Sequence, residues 1–181
     1  KCTPYSVQYN FDSYALSKAL VNALLKQGDN TFFFITADYA YGHNTQRDAT
    51  AFITAGGGKV VGSVKHPVGA TDFSSYILAA QNSGAKVIAL ANASSDTINS
   101  IKTANEFGVM KKQKLAGFLV FLSDVHALGL QAAQGLEFVD SFYWDENAEA
   151  RAWSQRFIKQ VGVMPNDVHA ADYSSVLTYL R

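Results

Sequence analysis

The feature that most constrains the fold of this chain is a set of short, largely apolar runs that alternate with amphipathic segments. Phe32–Ile35 is the clearest run, and Lys86–Ala91 and Leu115–Phe121 are similar in length and character. Such a run suits a strand that is buried on both faces, as in a parallel sheet. Val60–Val64 and Leu136–Trp144 give two further strand signals. The pattern therefore predicts five strands in one chain.

Helical stripes separate the predicted strands. Phe73, Tyr76, Ile77 and Ala80 recur at spacings of three and four residues, which is typical of an amphipathic helix. Similar stripes cover Leu16–Leu24, with Asp12 as its N-cap, and Ala49–Ile53, Ile98–Ala104 and Ala150–Val161. Strands that alternate with such helices imply a mostly parallel sheet with helices on both faces. We therefore predict an α/β fold, a three-layer α/β/α sandwich of the Rossmann-like kind.

Composition excludes several classes of function. Fifteen basic and fifteen acidic residues give a net charge of zero, so no basic field indicates nucleic acid as a partner. No apolar run approaches the roughly 18 residues of a membrane helix. The chain begins Lys1-Cys2 without Met, so we expect a processed form or a fragment. The single Cys2 is either a free thiol or paired with a cysteine outside this sequence.

Catalytic and cofactor motifs are weak. Ser123, Asp124 and His126 are close in sequence, but catalytic triads are assembled from distant segments. The four histidines do not have metal-ligand spacing, and there is no second cysteine. Gly56–Lys59 lacks the pattern of a phosphate-binding loop and is better explained as a helix stop. We expect no catalysis, no cofactor and no metal.

The turn after the first strand is the strongest candidate for a ligand site. Asp38, Tyr41 and Gly42 follow the apolar run directly. The carboxyl ends of strands are where α/β sheets bind ligands, so we expect Tyr41 and Gly42 to face a ligand. A helix that begins near Gly42 would add free N–H groups that favour an anionic group. Alternatively, the ring of Tyr41 caps the edge of the sheet.

Two segments carry a resemblance to a known family. Thr36–Gly42 resembles the ligand loop of the periplasmic substrate-binding proteins of branched-chain amino acid ABC importers, and Pro67–Ser74 resembles that family's strand-to-helix signature. The resemblance implies an extracytoplasmic protein that captures a small organic solute between two lobes and presents it to an ABC permease in the inner membrane. The alternatives are a ligand-sensing domain of a receptor or repressor with the same lobe architecture and, less favoured, a doubly wound enzyme.

The resemblance also implies that the chain contains one lobe of two. Residues 1–11 would be a crossover segment from a missing lobe one, 12–144 lobe two, and 145–181 a long helix and a terminal helix leading back toward lobe one. A second crossing would fall near Phe142–Asn147, and Tyr9 in the first crossing would contact the ligand. The terminal stripe should pack against something outside lobe two; it comprises Ala170, Tyr173, Leu177 and Leu180.

Two further loops complete the predicted site. Asn92, Ala93 and Ser94 follow a strand and would line the cleft, as the equivalent loop does in the family. Ser94 or Ser95 could also be the N-cap of the next helix, which is compatible with that role. After the fourth predicted strand, amino-acid-binding members of the family hold the ligand's ammonium group with a carboxylate.

In this chain Phe118, Leu119 and Phe121 occupy that region, and the nearest acid is Asp124. Burying an ammonium group without a counter-charge costs several kcal/mol. The chain therefore favours an aromatic or apolar carboxylate over a free amino acid. Alternatively, Leu119 and Phe121 belong to the core.

Overall fold

The structure is a computed structural model that describes residues 4–181, so the prediction about Cys2 lies outside the described residues. Its contacts divide the chain into two compact units. Within the described residues, unit 1 comprises 4–12, 121–123 and 140–181, and unit 2 comprises 13–120 and 124–139. The assignment of 1–11, 12–144 and 145–181 to parts of a larger two-lobed protein stays a prediction.

Unit 2 is built on a five-stranded sheet in which every pairing is parallel. The strands in chain order are β1 Thr31–Ala37, β2 Lys59–His66, β3 Val87–Ala91, β4 Lys114–Gly117 and β5 Leu136–Phe138. Their order across the sheet is β2-β1-β3-β4-β5. The α/β class and the parallel sheet predicted from the sequence are therefore confirmed.

Helices connect these strands and cover both faces of the sheet. They are α1 Ser13–Lys26, α2 Ala40–Ala55, α3 Ser74–Asn82, α4 Ser94–Glu106, a 3₁₀ turn at Val109–Lys111, and α5 Leu122–Leu128. None of the helices within residues 4–181 has the length and apolar character needed to cross a membrane.

Alternate residues of each strand pack into two separate cores. Phe32 and Phe34 lie in one core with side chains of α1 and α2, whereas Phe33 and Ile35 lie in the other with side chains of α3 and α4. Successive side chains of a strand point to opposite faces, so a strand covered on both faces must be apolar at every position. This explains the unbroken run in the sequence, which β3 repeats with five buried residues.

Two predicted strands are shorter in the structure. β4 ends at Gly117, not at Phe121, and β5 ends at Phe138, not at Trp144. At Gly117 the chain turns so tightly that the Val120 side chain occupies the space where a Cβ would stand. The apolar residues after Gly117 therefore continue the buried surface without continuing the strand.

An irregularity interrupts the pairing of β1 with β2. Phe32 pairs with Val60 but Phe33 pairs with Gly62, so Val61 is an extra residue on the outer strand. A Cβ on Gly62 would lie 2.8 Å from the Phe33 ring, which explains the glycine at this point. This arrangement is a β-bulge, which bends and twists the strand that carries it.

In the described part of the chain, unit 1 contains the helices α6 Ala148–Val161 and α7 Asp167–Tyr179, together with residues 4–12, 121–123 and 140–147. Asn147 caps α6 by accepting from the Ala150 N–H at 2.9 Å. Asn166 caps α7 in a reciprocal arrangement with His169, whose Nδ1 accepts from the Asn166 N–H at 3.1 Å. Both caps satisfy N–H groups that a helix otherwise leaves unpaired.

The rings of unit 1 gather around Trp153 of α6. Its ring centroid lies 5.4 Å from those of Phe142 and Tyr173, and 5.5 Å from that of Phe157. In the predicted stripe, Tyr173 is 46%, Leu177 36% and Leu180 74% exposed, and Val176 and Tyr179 beside it are exposed as well. The predicted stripe of the terminal helix is therefore only partly covered within unit 1, and its packing against a further partner stays a prediction.

Candidate functional site

The order of the strands places a topological switch point at the carboxyl ends of β1 and β3, and we call this place the crevice. From β1 the chain passes through α2 to β2 on one side, whereas β3 continues toward β4 and β5 on the other. In open α/β sheets, ligands bind outside the carboxyl ends of the strands at such a reversal. The loops that begin α2 and α4 both lie at this point. They carry Tyr41 and Gly42 after β1, and Asn92, Ala93 and Ser94 after β3.

Gly42 allows α2 to sit directly on the two strand ends. A Cβ at this position would overlap the Ala37 carbonyl oxygen at the end of β1 and would lie 2.9 Å from the Ala91 carbonyl oxygen at the end of β3. Those atoms are backbone and have little room to move. Gly42 is buried and positions the first turn of α2 at the crevice through close backbone packing.

Tyr41 lies mostly inside the protein. Its ring is partly buried, and its hydroxyl oxygen is buried without a hydrogen-bond partner among the described residues. Burial raises the pKa of this hydroxyl above its usual range, and the Thr45 hydroxyl one turn further along α2 opposes the rise.

Tyr39 is the more accessible tyrosine of the same loop. It is the N-cap residue of α2 with extended backbone, its side chain makes no capping hydrogen bond, and the residue is 38% exposed. Its ring centroid lies 6.0 Å from that of Tyr41. Burial, followed by the negative charge of Asp96, raises the pKa of its hydroxyl. Tyr39 has no distinguishing pattern in the sequence, because only the fold determines which tyrosine of the loop faces outward.

Asp38 is engaged in ion pairs at the end of β1. His43 Nε2 donates to its carboxylate at 2.7 Å, and Lys65 Nζ lies 3.5 Å away. The His43 hydrogen bond and then the charge of Lys65 lower the pKa of this carboxyl. All three side chains are exposed, so their ion pairs contribute little to stability.

Asn92 belongs to a buried hydrogen-bond network. Its Nδ2 donates to His66 Nε2 at 3.2 Å and to Ser100 Oγ at 3.0 Å, and its Oδ1 accepts from Thr97 Oγ1 at 2.8 Å. His66 Nδ1 faces the Pro67 carbonyl oxygen at 2.9 Å, which assigns the ring proton to Nδ1 and leaves Nε2 as the acceptor. Every polar atom of the Asn92 side chain is thereby used inside unit 2.

Asp96 extends the same network to the loop after β2. Both carboxylate oxygens accept from the Gly69 N–H at 3.1 Å, and Oδ2 lies 4.0 Å from His66 Nδ1. The residue is 4% exposed and occupies the first turn of α4, where a negative charge complements the helix dipole. Asp96 therefore connects the loops after β2 and β3. His66 and Asp96 were missed in the sequence, where neither has a distinguishing pattern.

The loop after β3 carries the one strained backbone position of the described residues outside glycine. Ser94 has a φ of 55°, in the left-handed region that non-glycine residues rarely adopt. The N-cap of α4 is Ala93, whose side chain cannot accept a hydrogen bond, so the predicted capping by Ser94 or Ser95 is wrong. Both serines are exposed. Strain of this kind persists where the surrounding structure enforces it and is common at binding sites.

The residues after β4 divide between the core and the surface. Phe118 is 2% exposed and its ring stacks on Phe34 at 6.1 Å, so it belongs to the core. Leu119 is partly buried. Tyr9 and Phe121 belong to unit 1, where Tyr9 is exposed and the Phe121 ring lies 5.9 Å from that of Phe11.

Unit 1 contains two features of its own. The first is a cavity of about 590 Å³ between α6 and α7, which contains none of the predicted site residues. Its lining includes Trp153, Phe157, His169 and Tyr173. Among residues 4–181, no group of three or more His, Cys, Asp or Glu side chains is arranged to hold a metal ion.

The second feature is a pair of acidic residues. Burial, with a contribution from the charge of Asp167, raises the pKa of Asp140 to about 6. Burial also raises the pKa of Asp167, and the Ser141 hydroxyl, which donates to it at 3.2 Å, opposes that rise. One oxygen of each carboxyl group is buried without a hydrogen-bond partner in the described structure.

Comparison with known proteins identifies the family. The family model described as "Periplasmic binding protein" matches residues 1–181. A crystal structure of a periplasmic binding protein from Burkholderia mallei is 51% identical with a TM-score of 0.94, over 99% of this chain and 48% of that one. A branched chain amino acid ABC transporter periplasmic ligand-binding protein from Burkholderia xenovorans LB400 is 39% identical with a TM-score of 0.89, over 99% and 48%.

A more distant relative agrees with these matches. Leu/Ile/Val-binding protein homolog 6 of Brucella suis is 26% identical over 164 residues, which are 88% of this chain and 42% of that protein. The chain thus spans about half the length of the proteins that it matches. The family resemblance seen in the sequence is confirmed: this chain belongs to the periplasmic binding protein family.

Proposed function

We propose that this chain is the second lobe of a solute-binding protein that captures a small organic ligand and presents it to an ABC permease of the inner membrane. The observation that carries the proposal is the convergence of two helix N-termini, those of α2 and α4, at the crevice between β1 and β3. Neither helix has a side-chain cap. The name of the Burkholderia xenovorans relative, an ABC transporter periplasmic ligand-binding protein, supports this role and a periplasmic location.

Capture would take place between this lobe and a lobe one outside this sequence. Closure of two lobes around a ligand is a population shift, and it needs ligand contacts that form only in the closed state. The crossing segments would carry Tyr9 and Phe121 toward the ligand. The protein would act by binding alone, and we assign no catalytic step and no nucleic-acid partner.

The predicted site residues would act in two ways. Tyr41, Ala93, Ser94 and Leu119 would contribute side chain or backbone to the crevice. Gly42 and Asn92 would act through packing, because the first has no side chain and the second has all its polar atoms bonded internally. We assign no ligand contact to Phe118, whose ring is in the core.

The ligand would be an aromatic or apolar carboxylate in preference to a free amino acid. Two acids lie at the ends of β1 and β3, and both are already engaged: Asp38 with His43 and Lys65, and Asp96 with the Gly69 N–H. Neither is a free counter-charge for an ammonium group, which would be costly to bury unpaired. At the end of β4 the corresponding side chains are the apolar Phe118 and Leu119.

Calorimetry on the intact two-lobed protein tests this proposal. Benzoate and 4-hydroxybenzoate should bind, and leucine and valine should bind at least tenfold more weakly. Tight binding of leucine or valine without binding of the aromatic acids would contradict the proposed ligand class. Failure of all four compounds to bind would reject the capture of small organic acids and branched-chain amino acids altogether.

A further inference from the structure

Tyr39 is the most exposed aromatic side chain among the residues that we place at the crevice. Tyr41 has its hydroxyl buried, Gly42 has no side chain, and Asn92 is bonded internally. Tyr39 is 38% exposed at the N-cap of α2. An exposed aromatic ring at the carboxyl end of a central strand is positioned to contact whatever enters the crevice.

The backbone of Tyr39 is held firmly. Its N–H donates to the Ala37 carbonyl oxygen at 2.8 Å, and its own carbonyl oxygen accepts from the His43 N–H at 3.1 Å. The ring also packs beside that of Tyr41 at 6.0 Å. The ring is therefore presented by a hydrogen-bonded backbone and supported on one side by the ring of Tyr41.

The surroundings of Tyr39 keep its hydroxyl neutral. The pKa of this group is raised by burial and by the negative charge of Asp96. Asp96 belongs to the first turn of α4, and the loop that begins α4 lies at the same strand ends as the loop that carries Tyr39. Tyr39 therefore lies at the same carboxyl edge of the sheet as the loop after β3.

We propose that Tyr39 is a specificity-determining residue that selects a planar aromatic ring by stacking against it. The inference rests on the proposed function and specifies which residue distinguishes aromatic from aliphatic carboxylates. Aromatic pairs gain more than their buried area alone, and the gain corresponds to a factor of about 3 to 10 in affinity. An aliphatic ring of the same size would bury similar area without that gain.

The test compares two acids that differ in planarity. Dissociation constants for benzoate and cyclohexanecarboxylate are measured by calorimetry on the intact protein and on Tyr39→Leu, Tyr39→Phe and Tyr14→Leu. Tyr14 is a matched control, because it is also exposed but its ring packs on Phe52 of α2, at 5.0 Å. We expect a preference for benzoate, expressed as the ratio of the two dissociation constants, in the unaltered protein, Tyr39→Phe and Tyr14→Leu. In Tyr39→Leu this ratio should fall by a factor of about 3 to 10.

Each contrary outcome has a distinct meaning. An unchanged preference in Tyr39→Leu, or equal affinity of the unaltered protein for the two acids, would overturn the role of Tyr39 and leave the proposed function standing. Binding of neither acid by the unaltered protein would overturn the proposed ligand class and this inference with it. If Tyr39→Leu fails to fold, as judged by circular dichroism, Tyr39→Met carries the same comparison.

Discussion

The Asn92 carboxamide donates to His66 Nε2 at 3.2 Å inside unit 2, so the end of β3 is bonded to the end of β2 across the intervening β1. Both side chains are almost completely buried. The bond sets the relative positions of two loops that border the crevice, and it depends on the His66 ring being protonated at Nδ1.

Removing this carboxamide should destabilise the fold. In Asn92→Leu the Thr97 hydroxyl and His66 Nε2 lose their partner while remaining buried, which should lower the free energy of unfolding by about 2–3 kcal/mol. Urea denaturation followed by circular dichroism measures the change. Asn22→Ala, on the exposed face of α1, is the control and should stay within about 0.5 kcal/mol. Equal stability of both variants would show that the network is energetically unimportant.

A methyl group at Gly42 should move α2 away from the strand ends. Gly42→Ala would place a Cβ against the Ala37 and Ala91 carbonyl oxygens, so we expect a loss of more than about 2 kcal/mol in stability together with weaker ligand binding. Gly28→Ala is the control, because the space around Gly28 is open. Its only obstacle is a φ of +88°, which should lower the free energy of unfolding by about 1–2 kcal/mol. Thermal unfolding and calorimetry give the two quantities. A Gly42→Ala variant as stable as Gly28→Ala would contradict the tight packing.

Substitution of Ser94 should change stability and ligand affinity in opposite directions. Ser94→Gly relieves the cost of a φ of 55°, partly offset by the greater freedom of glycine in the unfolded chain, so stability should rise by up to about 1 kcal/mol. Ligand affinity should nevertheless fall several-fold if the exposed hydroxyl contacts the ligand. Thermal unfolding and calorimetry on the same samples check both. Unchanged affinity would remove the Ser94 side chain from the site.

Asp140 should make unit 1 less stable as the pH rises. Its folded pKa of about 6 is above the unfolded value of about 3.9, so the folded state binds more protons between these values and stability declines as the pH rises from about 4 to 6. Asp140→Asn keeps an oxygen to accept from the Phe142 N–H and should gain roughly 1 kcal/mol at pH 7, after allowance for solvent screening. Denaturation between pH 4 and 8 measures this. The exposed Asp172→Asn is the control, and an identical pH profile for both variants would contradict the prediction.

The 181-residue chain by itself should self-associate through α7. Val176, Tyr179 and Leu180 leave an apolar surface in water, which favours association. Sedimentation should show concentration-dependent species, and lysine at both 176 and 180 should restore a monomer. Lysine in place of the exposed Leu78 of α3 is the control and should change nothing. A monomer at every concentration of the unaltered chain would show that α7 has no need of a partner.

The sequence predicted the sheet well because burial on both faces leaves a strong local pattern. Phe32–Ile35 could be recognised without any knowledge of its neighbours, since each of its residues has to be apolar. The ends of β4 and β5 were misplaced because apolar residues after Gly117 and Phe138 serve packing outside the sheet. Periodicity reports burial and does not distinguish a strand from a buried turn.

The site was harder to predict, because it depends on side-chain direction. Tyr39 and Tyr41 are two residues apart in one loop, and only the packing of α2 determines which is accessible. The network around Asn92 did leave a trace in the sequence. Thr97 and Ser100 are polar residues on the buried side of α4, and polar groups in such places need partners. That signal could have identified Asn92 as an internal residue.

The β-bulge at Val61 disfavours pairing of this sheet with a strand of another molecule. β2 is an outer strand, and its row of free backbone groups could recruit a strand from another chain and start an ordered aggregate. The bulge breaks that row, and Lys59 and Lys65 place positive charges along it. At the opposite edge, β5 offers only three residues. We therefore expect any association of this chain to use its helices and not the edges of its sheet.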